Sequence, residues 1–296
     1  MAGFLASRSA WPQADLQLRA ESTLVVIPVT VTDTSNRFVL SLDKNNFSLF
    51  EDGVKQRISQ FAGEDVPLSV GLLVDVSGSM GAKLAISQKA VAEFLKTMNA
   101  GDEACLIEFG DRAELSLGFT QDTTAIEEKL STVRSQGLTA LLDAVHLGLE
   151  QMKKAKNPRK ALLIISDGGD NHSRYTASDI KENVREADVQ IYSMGVFEPV
   201  LWVGVTGAEI SGPQLLAEIS EQTGGRAFPA RSFSALPAIA KRIGIELRNE
   251  YILAYAPSNA SQDRKYRKVE VKLQAPAGLT DLKARWRSGY YAGTRQ

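Results

Sequence analysis

Three short segments bring together oxygen donors of the kind a hard divalent cation takes. Asp75-Val76-Ser77-Gly78-Ser79 offers one carboxylate and two hydroxyls, with Gly78 able to turn the chain so that the oxygens face one point. Thr139 lies in the loop Gly137-Leu138-Thr139, and Asp167 directly follows the apolar run Ala161 to Ser166 (ALLIIS). Two carboxylates roughly balance Mg2+ or Mn2+, and three neutral hydroxyls add ligands without saturating the ion. An Asp/Ser turn by itself caps a helix equally well, so the positions of the three segments in the fold decide between the readings.

Those positions follow from the pattern of elements. Leu68 to Val74 (LSVGLLV) is an almost unbroken apolar run, the mark of a central parallel strand covered on both faces. A Gly/Ser turn and a helix carrying Leu84, Val91, Phe94, Leu95 and Met98 come next. The cycle repeats with a strand Ala104 to Phe109, an edge hairpin near Ala113 to Leu117, and helices at Thr123 to Val133 and Leu141 to Met152. Strands Ala161 to Ser166 and Val189 to Val196 enclose a helix at Ala177 to Ala187, and helices at Pro213 to Gln222 and Phe233 to Leu247 complete the set. This alternation predicts an α/β fold, a doubly wound, mostly parallel, Rossmann-like sheet with helices on both faces. Ligands bind such sheets at the carboxyl ends of the strands, where the three donor loops converge.

The flanks read differently. From Leu24 the period is two, with Val25, Ile27, Val29 and Val31 on one face, and turn signals separate short strands near Phe38 to Leu40, Phe47 to Leu49 and Ile58 to Phe61. The same period returns after Asn249, where Val269, Val271 and Leu273 alternate with Lys268, Glu270 and Lys272, and Leu282, Ala284 and Trp286 with Lys283, Arg285 and Arg287. Neither flank is long enough to form a sandwich alone, so the two are expected to pair into one small antiparallel β-sandwich-like domain with the α/β domain inserted. The expected division is 1–20, a disordered or remnant export segment; 21–65 and 249–296, the β domain; and 66–248, the α/β domain.

Composition narrows the function. The 296 residues carry 34 basic and 35 acidic side chains, a net charge of -1, which gives no global field to attract nucleic acid or an anionic membrane. A single Cys105 excludes an intramolecular disulfide framework and CxxC sites, and His146 and His172 alone cannot build a histidine cage. No stretch approaches the roughly 18 to 20 apolar residues of a membrane span. Ala2 to Ala6 is shorter than the core of an export signal.

The donor set resembles the metal-ion-dependent adhesion site of the von Willebrand factor type A domain family. Its DxSxS pattern is matched by Asp75, Ser77 and Ser79, its threonine by Thr139 and its aspartate by Asp167. The resemblance covers about Val66 to Arg248. It implies a Mg2+ or Mn2+ ion held by these five residues, its last coordination position filled by an Asp or Glu of a protein partner. The segments NFSLFEDGVKQRISQ, PLSVGLLVDVSGSM, YILAYAPSN and SGYYAG further resemble a bacterial, acidobacterial-type subfamily of von Willebrand factor A-related proteins, which implies an extracytoplasmic location.

The sequence holds other candidate groups beside this set. Asp170 and His172 in DGGDNHS would serve a metal-dependent hydrolase as a second-metal ligand or general base, or Asp170 would tune the metal through its neighbours. Ser77 and Ser79 lack the GxSxG elbow of a nucleophile, His146 reads as a helix-boundary residue and Cys105 as a small core hydrophobe. The apolar stretch Phe197 to Gly212 is either a partner-contacting wall anchored by Trp202 or a loop that buries its own side chains. The basic C-terminal stretches read as a solvated sheet face. The expected function is metal-dependent capture of an acidic partner residue, with a hydrolase or a structural envelope scaffold as the alternatives.

Overall fold

The computed structural model describes residues 24–63, 66–167, 169–196, 207–276, 278–279 and 281–293. In chain order, β1 (Val25–Thr32), β2 (Phe47–Glu51), β3 (Val54–Gln56) and β4 (Ile58–Ala62) precede the α/β region. That region runs β5 (Leu68–Asp75), α1 (Leu84–Leu95), β6 (Glu103–Phe109), β7 (Ala113–Thr120), α2 (Thr123–Ser131), α3 (Leu141–Met152), β8 (Arg159–Ile165), α4 (Ala177–Glu186), β9 (Gln190–Val196), α5 (Gly207–Gln222), β10 (Arg226–Ala230) and α6 (Leu236–Arg248). β11 (Glu250–Tyr255), β12 (Tyr266–Leu273), β13 (Lys283–Trp286) and β14 (Gly289–Tyr291) close the chain.

The six-stranded sheet has the order β10-β9-β8-β5-β6-β7, parallel throughout except for β7, which runs antiparallel to β6. β5 is buried along its whole length, as its apolar run requires. One face of the sheet packs Val70, Leu72 and Val74 on Val91 and Phe94 of α1, Ile126 and Leu130 of α2, and Ile243 and Leu247 of α6. The other packs Leu73, Ile107 and Leu162 on α3, α4 and α5 through Leu141, Val145, Ile180 and Ile219. The chain leaves β5 toward β6 on one side and later returns to β8 on the other, which makes the carboxyl ends of β5 and β8 the switch point of the sheet.

The flanking segments form two four-stranded antiparallel sheets, β13-β1-β11-β4 and β14-β12-β2-β3, around one shared core. Val25, Ile27, Val29 and Val31 all point into that core, against Phe47 and Leu49 of the second sheet and Val269 and Val271 of β12. Inside it Glu51 accepts hydrogen bonds from the hydroxyls of Tyr255 and Tyr290, both at 2.7 Å. Those donors satisfy a carboxylate that is otherwise shut away from water.

α6 passes directly into β11, and the join is bound by charge. Arg159 Nη2 lies 2.5 Å from Glu250 Oε2, and both side chains are essentially unexposed. Arg285 pairs with Glu246 at 3.3 Å, Arg287 with Asp188, and Arg248 with Asp102. The solvated face expected of the basic C-terminal stretches is therefore only half present. Lys268, Lys272 and Lys283 are exposed, whereas Arg267 and Arg287 are buried and Arg285 half-buried, and each of the three arginines pairs with a carboxylate.

Three further expectations change. Phe38 makes an isolated bridge to Thr32 in place of a strand, because the turn at residues 33–37 folds back at once. β3 and β10 had no signal long enough to stand out. α5 begins at Gly207, so Pro213 lies inside the helix and supplies no N–H where a helix start was expected.

Candidate metal centre

Asp75 ends β5 and is completely buried. Its Oδ1 accepts the Ser77 N–H at 2.9 Å and its Oδ2 the Ser166 hydroxyl at 2.7 Å, so the carboxylate is fixed by its own turn and by the end of β8. Burial pushes its pKa from 3.8 to about 6, against the lowering effect of these hydrogen bonds, and the nearby charge of Asp167 pushes the same way. The two carboxylates therefore share one electrostatic site.

Ser77 and Ser79 continue the turn into a 3-10 segment, Gly78–Lys83, that leads to α1. Their hydroxyl oxygens are 3.0 Å apart. In an octahedron with bonds of about 2.1 Å, neighbouring ligands stand about 3.0 Å apart, so the pair has the spacing of two adjacent ligands of Mg2+. Ser77 is buried and Ser79 exposed, which leaves the set open on the Ser79 side. The donor chemistry and this spacing fit a hard divalent cation.

The threonine loop is tied to the serine loop through the backbone. Gly78 N–H donates to the Gly137 carbonyl at 2.9 Å and Gln136 N–H to that of Val76 at 2.8 Å, while the Ser135 hydroxyl donates to the Ser77 carbonyl. A Cβ on Gly78 would stand 3.2 Å from the Gly137 oxygen, so the close approach favours glycine. Gly137 has φ +77°, and the next residue, Leu138, donates its N–H to Asp111 Oδ1 at 2.7 Å. Thr139 is buried, and the loop after β8 holds it. Its N–H donates to Asn171 Oδ1 at 2.9 Å, and its carbonyl accepts the N–H groups of Asn171 and His172.

Asp167 follows β8 and lies 3.2 Å from the ammonium of Lys83. Asp170 sits at the head of α3, accepting from the Ser173 hydroxyl and, at 3.3 Å, from Leu142 N–H. Ser173 accepts from Leu142 and Asp143 N–H at 3.0 and 3.1 Å, so this loop caps a helix whose own N-cap residue, Ala140, has no side chain to do it. Asp170 thus reaches Thr139 through the start of α3. His172 is exposed, and His146 stacks on Tyr175 with ring centroids 4.0 Å apart and pairs with Asn183. Among the described residues no three His, Cys, Asp or Glu side chains gather as a metal cluster; the set above has two carboxylates, with hydroxyls for the rest. Trp202 and residues 197–206 lie outside the described residues.

Sequence reasoning passed over Ser166, Ser135, Asn171, Asp111 and Lys83. Ser166 had a signal, a hydroxyl closing an otherwise apolar buried strand; the others are ordinary loop residues until the loops meet.

The von Willebrand factor type A domain family matches residues 70–169. An uncharacterized protein of Borreliella burgdorferi is 26% identical over 192 residues, 58% of this chain and 55% of that protein. The inter-alpha-trypsin inhibitor heavy chain H3 of Homo sapiens is 28% identical over 146 residues, 44% of this chain and 16% of that one. The chain therefore spans about half of the first relative and a small part of the second. Among solved structures, a von Willebrand factor type A protein from Catenulispora acidiphila superposes with a TM-score of 0.54 at 13% identity, covering 85% of this chain and 74% of that one. The match over residues 70–169 marks a von Willebrand factor type A domain within the chain, and the six-stranded sheet has the fold of the Catenulispora acidiphila structure.

Proposed function

We propose that the chain is a metal-dependent protein-binding module, in which Asp75, Ser77, Ser79, Thr139 and Asp167 hold Mg2+ or Mn2+ and an Asp or Glu of a partner protein completes the site. Domains of this family commonly mediate protein interaction or adhesion. The observation that carries the reading is the meeting of two carboxylates and a 3.0 Å pair of serine hydroxyls at the switch point of the sheet. A bound divalent cation would supply a Lewis-acidic position for an incoming carboxylate.

The chain's own residues do the rest. Ser166 and the Ser77 N–H aim Asp75, the Gly78 to Gly137 bond sets the distance between the serine and threonine loops, and Asn171 fixes Thr139. Ser79 lies on the open side, where a partner approaches. Asp170 caps α3 and His172 is exposed, an arrangement that favours binding over hydrolysis. Among the described residues no helix is long and apolar enough to cross a membrane. An extracytoplasmic location is proposed on the resemblance of the flanking segments.

Calorimetric titration of MgCl2 and MnCl2 into EDTA-stripped protein tests the centre. Saturable one-site binding in the wild type that is lost in Asp75→Ala supports it, and a partner pulled down equally well in EDTA would contradict the mechanism.

A further inference from the structure

We infer that Lys83 is a built-in counter-cation of this centre, which holds Asp167 while the centre is empty and has to release it when a metal ion binds. The inference rests on the metal-centre reading and concerns what filling that centre costs.

Lys83 ends the 3-10 segment that grows out of the serine turn, which places its side chain beside the donor set. Its Nζ stands 3.2 Å from Asp167 Oδ2, and the two side chains keep only 18% and 16% of their surface exposed. The same ammonium lies 5.0 Å from the centroid of the Phe233 ring, in the turn before α6. A lysine held between a carboxylate and an aromatic face differs from an ordinary surface lysine such as Lys89, further along α1, which is exposed.

The physical need for it is plain. Without metal, Asp75 and Asp167 put two negative charges at one sheet edge, one of them fully desolvated. An ammonium on Asp167 cancels one of them and stabilises the empty form. A divalent ion bound by the same Asp167 takes over that carboxylate and repels the ammonium, so metal affinity is lowered by the strength of the pair it replaces. The Phe233 face and the solvent still receive the released ammonium, so the exchange needs no rearrangement of the fold. Other centres of this donor chemistry lacking the lysine would fill at lower metal concentration.

Replacing the charge while keeping the length of the side chain tests this. MgCl2 is titrated calorimetrically into the EDTA-stripped full chain of wild type, Lys83→Met, Lys83→Gln, Lys83→Arg and Lys89→Met. Removing a partly buried pair is expected to tighten Mg2+ binding about five- to tenfold in Lys83→Met and Lys83→Gln. Lys83→Arg and Lys89→Met stay within about twofold of wild type. In EDTA, Lys83→Met also melts below wild type, and saturating MgCl2 closes that gap. Unchanged or weaker Mg2+ affinity in both neutral variants, with normal binding in the wild type, overturns the inference and leaves the metal centre standing. Equal tightening in Lys89→Met also overturns it, since net charge alone would then be responsible. No binding in any of the five proteins overturns the metal centre itself, and the inference with it.

Discussion

Asp75→Asn separates what the buried carboxylate costs from what it does. At neutral pH the folded, metal-free chain keeps Asp75 charged in a fully buried place, and its pKa stands at about 6 in place of 3.8. That rise corresponds to about 3 kcal/mol of destabilisation above pH 6, because 1.36 kcal/mol attaches to each unit. Asparagine is close to the same shape. Its Oδ1 still accepts the Ser77 N–H, and its amide donates to the Ser166 hydroxyl, which can turn round to accept. The hydrogen bonds lose their charge assistance, on the order of 1 kcal/mol, which leaves a net gain of about 1–2 kcal/mol. For a chain of this size that is a rise in melting temperature of roughly 3–6 °C. The measurement is thermal unfolding by circular dichroism at pH 7.5, in EDTA and again in saturating MgCl2. Asp75→Asn is expected to melt above wild type in EDTA and to gain nothing from Mg2+, whereas wild type gains. As the pH falls from 6 toward 4 the wild-type carboxyl takes up a proton in the folded state, the penalty is relieved and the EDTA difference closes. An Asp75→Asn protein that melts below wild type in EDTA at pH 7.5 would refute the reasoning.

The same raised pKa makes protons compete with the metal. Mg2+ affinity, flat above pH 7, is expected to weaken about tenfold by pH 5, which calorimetry at several pH values reads directly. Gly137→Ala places a Cβ 2.5 Å from Asp111 Oδ1 at a φ of +77°, so it costs about 1–2 kcal/mol and pushes Asp111 off the Leu138 N–H. Urea unfolding measures the cost, and Mg2+ affinity should fall severalfold as Thr139 shifts while the fold survives. Arg159→Met leaves Glu250 buried without its cation, with Gln190, Tyr192 and Thr30 as its remaining donors among the described residues. A loss of about 3–5 kcal/mol in urea unfolding is expected, and a loss under 1 kcal/mol would show that the join between α6 and β11 does not depend on this pair.

The parts of the fold that burial dictates could be read from the chain. LSVGLLV is covered on both faces and so is apolar throughout, and β1 and β12 are covered on one face and so alternate. Short edges were not legible. β10 has five residues with Pro229 among them, and β3 has three, so neither carries a period. The three donor segments were found because each follows a strand or precedes a helix at the same sheet edge. The groups that aim them were not, because Ser135, Asn171 and Asp111 act through backbone contacts that exist only once the loops meet. Lys83 was hidden for a different reason: a lysine after a turn reads as solvated until Asp167, 84 positions away, is folded onto it.

Precision at the donor edge and cost at its centre have the same origin. Each loop is held by the next, β5 to the threonine loop through Gly78 and Gly137, and the threonine loop to the end of β8 through Asn171, so the backbone that carries Asp75, Ser77 and Thr139 is fixed by the fold itself. Asp75 is desolvated and feels the charge of Asp167, and Lys83 neutralises Asp167. The cost of a desolvated charge on Asp75 beside Asp167 is the reason a divalent ion should stabilise the whole chain and not merely bind to it, and that stabilisation should be largest where Lys83 has been removed.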